Sequence, residues 1–166
     1  MSDPEPIINY DDQFINELIL CPKKIIANPK PKDKSNGLHK ETNIELQSED
    51  KKFRFTVFIR EHTELLENFT VGLIFHPENS DSRIIVRYNG NHGRHTNQVD
   101  KQIIDGFHIH KLTKNALDLG IKEDNQATQT TNYASVRDAM FCFFKDLNIL
   151  NFQDYFPKLL QTTLLN

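Results

Sequence analysis

Residues 53–59 read FRFTVFI, with Phe53, Phe55, Val57 and Ile59 in one phase and Arg54 and Thr56 in the other. Side chains on a strand alternate between two faces, so this is the pattern of a half-buried strand with its apolar side on a core. The same period recurs on both sides of it. Phe69, Val71, Leu73 and Phe75 form a second set, Ile84, Val86 and Tyr88 a third, and Ile44 with Leu46 an earlier one. The connections at 48–51, 61–68 and 76–82 are short and polar, which favours an antiparallel meander over parallel strands joined by helices. With Phe107-His108-Ile109-His110 added, the spacing predicts a sheet of about five strands.

Beyond Lys111 the period lengthens to that of a helix. Residues 111–120 read as a short helix ended by Gly120, and 123–131 as a polar loop. Tyr133, Val136, Met140, Phe143, Phe144 and Leu147 form the apolar stripe of a longer helix, capped by Thr131 or Asn132. The apolar segment Phe152 to Leu165 reads as a terminal helix with Pro157 in its first turn. Toward the N-terminus, Asp11 or Asp12 caps a short helix through about Leu20, which Cys21-Pro22 ends, and 23–27 is a short strand. The expected class is α+β, an antiparallel sheet packed against C-terminal helices. One domain spans 1–166, with 1–9 a flexible arm and 28–37 a polar loop.

Across 166 residues, 37% hydrophobic content with 12 phenylalanines is enough for one folded core. A net charge of −3 argues against a protein whose main task is coating nucleic acid, so direct nucleic-acid binding is not expected. No apolar run is long enough to span a bilayer, and the acidic start MSDPEPIINYDD is unlike a secretory signal, so a cytoplasmic protein with no membrane partner is expected. In that compartment Cys21 and Cys142 are expected to be free thiols.

Four of the seven histidines fall between Arg87 and His110, in RYNGNHGRHTNQVDKQIIDGFHIH. On a strand, His108 and His110 share one face while Phe107 and Ile109 take the other, so the imidazoles avoid the core. His92 and His95 lie in a glycine-containing loop that can fold back over that strand. A tetrahedral Zn²⁺ site takes four such ligands, or three with one position open. The expected ligands are His95, His108 and His110, completed by His92 or Asp105.

The order RYNG, four residues, HTN, then FHIH-x-x-T, a glycine, Glu123-Asp124, a stretch from Ala127-Thr128 to Tyr133, and a helix with Cys142 resembles a family of uncharacterised bacterial and phage domains. The likeness covers roughly residues 53–149 and implies no activity. On its pattern His95, His108 and His110 fall at matched positions and His92 is displaced by one. A narrower resemblance is to small metal-binding anti-CRISPR proteins that inhibit type II effector nucleases. It implies a zinc-binding inhibitor in the cytoplasm of a bacterial host cell, acting through its surface without catalysis.

Two functions therefore compete. The first is a non-catalytic zinc-binding inhibitor or binding protein of phage or mobile-element type. In its specific form the protein partner is a type II CRISPR effector nuclease, whose DNA targeting it blocks, and Glu41, Glu45, Glu49, Asp50, Glu61, Glu64 and Glu67 offer an acidic surface to it. No catalytic residue is assigned in that reading. The alternative is a metal-dependent hydrolase or nuclease in which three histidines hold the ion, water takes the fourth position, and Arg87 or Arg94 steadies a phosphate. Asp105, Glu123 and Asp124 are its candidate bases.

Overall fold

A computed structural model describes residues 4, 7–34, 37–121 and 126–161. In chain order the first elements are α1 (Asp12–Leu20), β1 (Lys23–Ile25), β2 (Lys30–Lys34), β3 (His39–Ser48), β4 (Arg54–His62), β5 (Phe69–His76) and β6 (Arg83–Asn89). There follow β7 (His95–Thr96), β8 (Ile103–Ile104), β9 (His108–Lys111), α2 (Lys114–Asp118), β10 (Ala127–Gln129), α3 (Val136–Asp146), α4 (Phe152–Tyr155) and α5 (Lys158–Gln161).

The class is α+β, and the main sheet has eight strands in the order β1-β3-β4-β5-β6-β9-β10, with β2 also on β3. Its ladders are antiparallel. The five alternating segments are its centre. The three additional strands β1, β2 and β10 are short and each lies at an edge; β1 falls within the expected short strand 23–27, whereas β2 and β10 bury too little to show a clear alternation. Strand β2 runs through the segment 28–37 that reads as a polar loop, and its sequence KPKDK carries the lysines and proline typical of a protected edge. Strand β10 likewise takes up part of the expected polar loop 123–131, of which 123–125 lie outside the described residues.

One face of the sheet is apolar. Across it Ile44, Val57, Leu73 and Val86 are consecutive partners on β3, β4, β5 and β6. Helices α1 and α3 cover this face, burying Ile15, Leu18 and Ile19 from one and Ala139, Phe143 and Phe144 from the other. The packing helices are therefore not all C-terminal. Asp11 caps α1 as expected, its carboxylate accepting from the Phe14 amide at 2.8 Å. Helix α3 starts later than the stripe suggests, because Ser135 rather than Thr131 or Asn132 accepts from the Asp138 amide. Tyr133 thus precedes the helix but is still buried, stacked on Tyr88 with ring centres 5.7 Å apart. Among the described residues the terminal segment forms two short helices, α4 and α5, instead of one, since the residue before Pro157 is driven out of helical geometry, with φ −132° and ψ 61° at Phe156; residues 162–165 of the expected helix lie outside the described residues. Gly120, at φ 67°, closes α2 as expected, with the Ile121 amide returning to the Ala116 carbonyl at 2.9 Å.

Lys23 joins the two covering helices. It is fully buried, and its ammonium donates to the carbonyls of Ile19, Cys21 and Leu147 at 2.7, 2.9 and 3.0 Å. Ile19 belongs to the last turn of α1 and Leu147 is the C-cap of α3, where carbonyls lack helical partners and the helix dipole favours a cation. Burial pulls the Lys23 ammonium down to about 8. Lys23→Met keeps the apolar stem but strands these carbonyls, and equilibrium denaturation should show a loss of about 2 kcal/mol or more.

Candidate functional site

The face opposite the helices carries the polar phase of the same strands. Glu41, Arg60, Thr70, Asn89, His108 and Gln129 are consecutive cross-strand partners from β3 to β10, and Gly72, Arg87 and His110 are partners on β5, β6 and β9. Register alone therefore places Arg60, Arg87, His108 and His110 on one face, with Arg87 directly beside His110 and Arg60 three strands from His108. Gly72 leaves room for the Phe58 ring, which comes within 2.3 Å of where a Cβ would stand.

The chain leaves β6 and returns in β9 only after the small β7–β8 ladder, in which His95 pairs with Ile104 and Thr96 with Ile103. This excursion delivers His95 to the floor histidines. It is held at both ends. Gly90 packs so closely that a Cβ would lie 1.9 Å from the Glu67 carbonyl oxygen, which explains glycine after Arg87-Tyr88-Asn89. Asn97, fully buried, donates to the Ala127 carbonyl at 2.8 Å and accepts the Ala127 amide at 2.7 Å, fastening the excursion to β10.

The result is a cleft of about 450 Å³ whose lining includes Arg60, Arg87, Arg94, His95, His108 and His110. His92 stands on its exposed rim with its ring centre 5.3 Å from that of His108. The ring centres of His95 and His110, and of His108 and His110, are 4.9 Å apart, and those of His95 and His108 are 6.0 Å apart. Asp105 is separate from the lining. It is exposed and lies 3.7 Å from the Arg94 guanidinium. Glu123 and Asp124 lie outside the described residues. Cys21 and Cys142 are free thiols away from the cleft lining.

The imidazoles suit a metal in their chemistry. His108 Nδ1 donates to the Gly106 carbonyl at 2.7 Å, which leaves Nε2 with its lone pair. His95 Nε2 and His110 Nδ1 are buried with no hydrogen-bond partner among the described residues. In a tetrahedral zinc site with bonds of about 2.0–2.1 Å, imidazole centres stand roughly 5 Å apart, close to the separations seen. Among the described residues no three histidine, cysteine, aspartate or glutamate side chains are gathered as a formed metal cage. Holding an ion therefore requires the rings to turn toward one another.

Burial, followed by the charge of Arg87, pulls His110 down to about 3, and burial also lowers His108. Both rings are neutral at pH 7, the form that ligates metals. Beneath them the Tyr133 hydroxyl lies 2.9 Å from the Asn89 carbonyl and 3.0 Å from the His108 carbonyl, tying β6 to β9 under the site. The Asn89 side chain accepts from the Thr70 hydroxyl at 2.8 Å and turns its amide toward His108 Nε2 at 3.5 Å.

Arg60, Asn68, Thr70 and Asn89 are cleft residues that the histidine pattern does not reveal. The available signal for Arg60 and Thr70 was their position in the polar phase of two strongly alternating strands. No protein-family model matches the chain, and comparison with curated proteins and with solved structures finds no match.

Asn97→Ala should lower stability by about 1–3 kcal/mol by stranding the Ala127 backbone groups, read by thermal or chemical denaturation. In metal-free protein His110 gives a second expectation. Its value falls from 6.5 unfolded to about 3 folded, so below pH 6.5 the unfolded chain takes up a proton that the folded chain refuses. Stability contributed by neutral His110 is present above pH 6.5 and is lost as the pH falls toward 3. Denaturation midpoints across this window should flatten in His110→Gln.

Proposed function

We propose that His95, His108 and His110 hold one Zn²⁺ ion at the floor of the cleft and that the chain is a metal-dependent hydrolase. The observation that carries this reading is the convergence of three imidazoles, two with buried unpartnered nitrogens, on a cleft that stays open beside them. A structural zinc is enclosed by four protein ligands, whereas three ligands facing an open cleft leave a coordination position for water or substrate. An imidazole-rich set favours zinc, nickel or copper over magnesium or calcium. Bound there, the ion would supply Lewis acidity and an activated water. Arg87 and Arg94 supply positive charge beside the same position, and Tyr133 and Asn89 hold the strand pair that carries the floor histidines.

A specific observation also favours the non-catalytic reading. Asp105 faces Arg94 outside the lining and Glu41 contacts Arg60 at 3.4 Å, so neither of these carboxylates stands over the histidines as a base. In that reading the ion stiffens the β7–β8 excursion for a protein partner, most specifically a type II CRISPR effector nuclease. Its acidic surface is partly offset locally, since Glu45 and Glu49 lie 3.2 and 3.7 Å from Lys30 and Lys24.

Untagged protein should carry one zinc per chain by elemental analysis, and His108→Ala combined with His110→Ala should carry none. Zinc-loaded protein should hydrolyse bis(p-nitrophenyl) phosphate, and chelation should abolish turnover. Stoichiometric zinc with no turnover, accompanied by co-purification with a type II effector nuclease, would establish the binding-protein reading in its place.

A further inference from the structure

The loop between β4 and β5 reads Thr63-Glu64-Leu65-Leu66-Glu67-Asn68, and it turns both leucines outward, 61% and 78% exposed. Single exposed leucines are ordinary on a protein surface, whereas consecutive ones lining a shared groove are the usual mark of a contact surface. Here the groove has a volume of about 600 Å³ and runs between this loop and residues 91–93 after β6. Asn68 and His92 line both this groove and the histidine cleft, so the groove opens at the cleft mouth.

The backbone around the leucines holds them in place. His62 Nδ1 accepts the amides of Glu64 and Leu65 at 3.1 and 3.0 Å, and the Asn68 amide returns to the Leu65 carbonyl at 2.8 Å. The Thr63 amide donates to the Leu38 carbonyl at 2.9 Å, and Gly90 packs against the Glu67 carbonyl on the other side. A partner therefore meets a preformed groove and orders little of it on binding.

The charge of the groove selects that partner. Its lining holds the carboxylates of Glu64 and Glu67 and no lysine or arginine. Neither carboxylate makes an ion pair among the described residues, and Glu67 accepts one long contact of 3.4 Å from the Asn91 amide. We infer that this groove docks a basic peptide segment of another protein, with an apolar side chain seated on Leu65 and Leu66 and flanking lysines or arginines meeting Glu64 and Glu67. A second copy of this chain fits poorly. A two-fold contact would turn the same carboxylates on one another, with no lysine or arginine in the lining to separate them. The same pair repels a polyanion. The inference does not depend on a bound metal.

The test is selection of a displayed library of random dodecapeptides on the full-length protein, followed by fluorescence anisotropy with a labelled peptide from the enriched set. The enriched sequences should carry an apolar residue flanked by lysine or arginine. Leu65→Ser and Leu66→Ser should each weaken the peptide about tenfold or more, the loss expected of a residue central to a contact. Glu64→Gln combined with Glu67→Gln should weaken it about threefold or more and flatten its dependence on salt. All four positions are exposed, so these variants should melt like the parent protein, which separates lost binding from lost folding. A library that yields no enriched sequence, enriched peptides without basic residues, or affinities untouched by the leucine variants overturns the inference. So does sedimentation showing a dimer that Leu66→Ser dissolves, which would assign the groove to a second copy.

Discussion

The pairing of β6 with β9 is the constraint on which the other features depend. It sets Arg87 opposite His110 and Asn89 opposite His108, and because side chains alternate, it also sets Tyr88 opposite Ile109 on the far side. A slip of one residue would send both histidines into the helices' core and bring Tyr88 out to water. Burial of Tyr88 against Tyr133 and Phe143 resists that slip, and the Tyr88 hydroxyl bonds the Asp146 carboxylate on α3. The register of the polar face is thus enforced from the apolar face. This allows two almost completely buried imidazoles to persist where no hydrophobic packing holds them.

The excursion between β6 and β9 solves a second problem. Sheet residues alone can place groups only on the cleft floor, so a wall requires chain that leaves the sheet and comes back. A flexible insert of this length would sweep many positions, yet three local devices restrict it. Gly90 allows the chain to turn hard against the Glu67 carbonyl, the His95–Ile104 and Thr96–Ile103 pairs form its stem, and buried Ile104 roots it. Asn97 then stands in for a strand neighbour by offering Ala127 both an acceptor and a donor. The polar character of this segment therefore has distinct origins. Some of it is structural, as at Asn97, and some faces the cleft, as at His95 and Arg94.

What the sequence revealed follows the same division. Strands β3 to β6 and β9 were legible because each buries one face, and α1 and α3 because each carries a helical stripe. The edge strand β1 lies within the expected short strand 23–27, but β2 and β10 were not legible, since β2 is nearly all lysine, proline and aspartate and β10 has a single buried residue, Ala127. The late start of α3 was obscured because Tyr133 is buried for a reason unconnected with the helix, its contacts with Tyr88 and two strand carbonyls. At the site, His95, His108 and His110 could be read from alternation and loop chemistry. Arg60 could not, because its approach depends on the order β4-β5-β6-β9, which joins residues nearly fifty positions apart. Asp105 suited a ligand by proximity in sequence, but its carboxylate turns to Arg94.

The electrostatics of the cleft separate two tasks that a single residue type could not perform together. Guanidinium groups stay protonated at any physiological pH, so Arg60, Arg87 and Arg94 keep fixed positive charges in the cleft lining. Imidazoles placed among them are pushed the other way. Burial and the Arg87 charge keep His110 neutral, and burial does the same to His108, so the added positive charge of protonation is refused where positive charge is already dense. Neutral rings keep lone pairs, and His108 has its lone pair assigned to Nε2 by the Gly106 carbonyl at the other nitrogen. Burial first, and the Arg87 charge after it, therefore keep His110 in the form that can donate an electron pair.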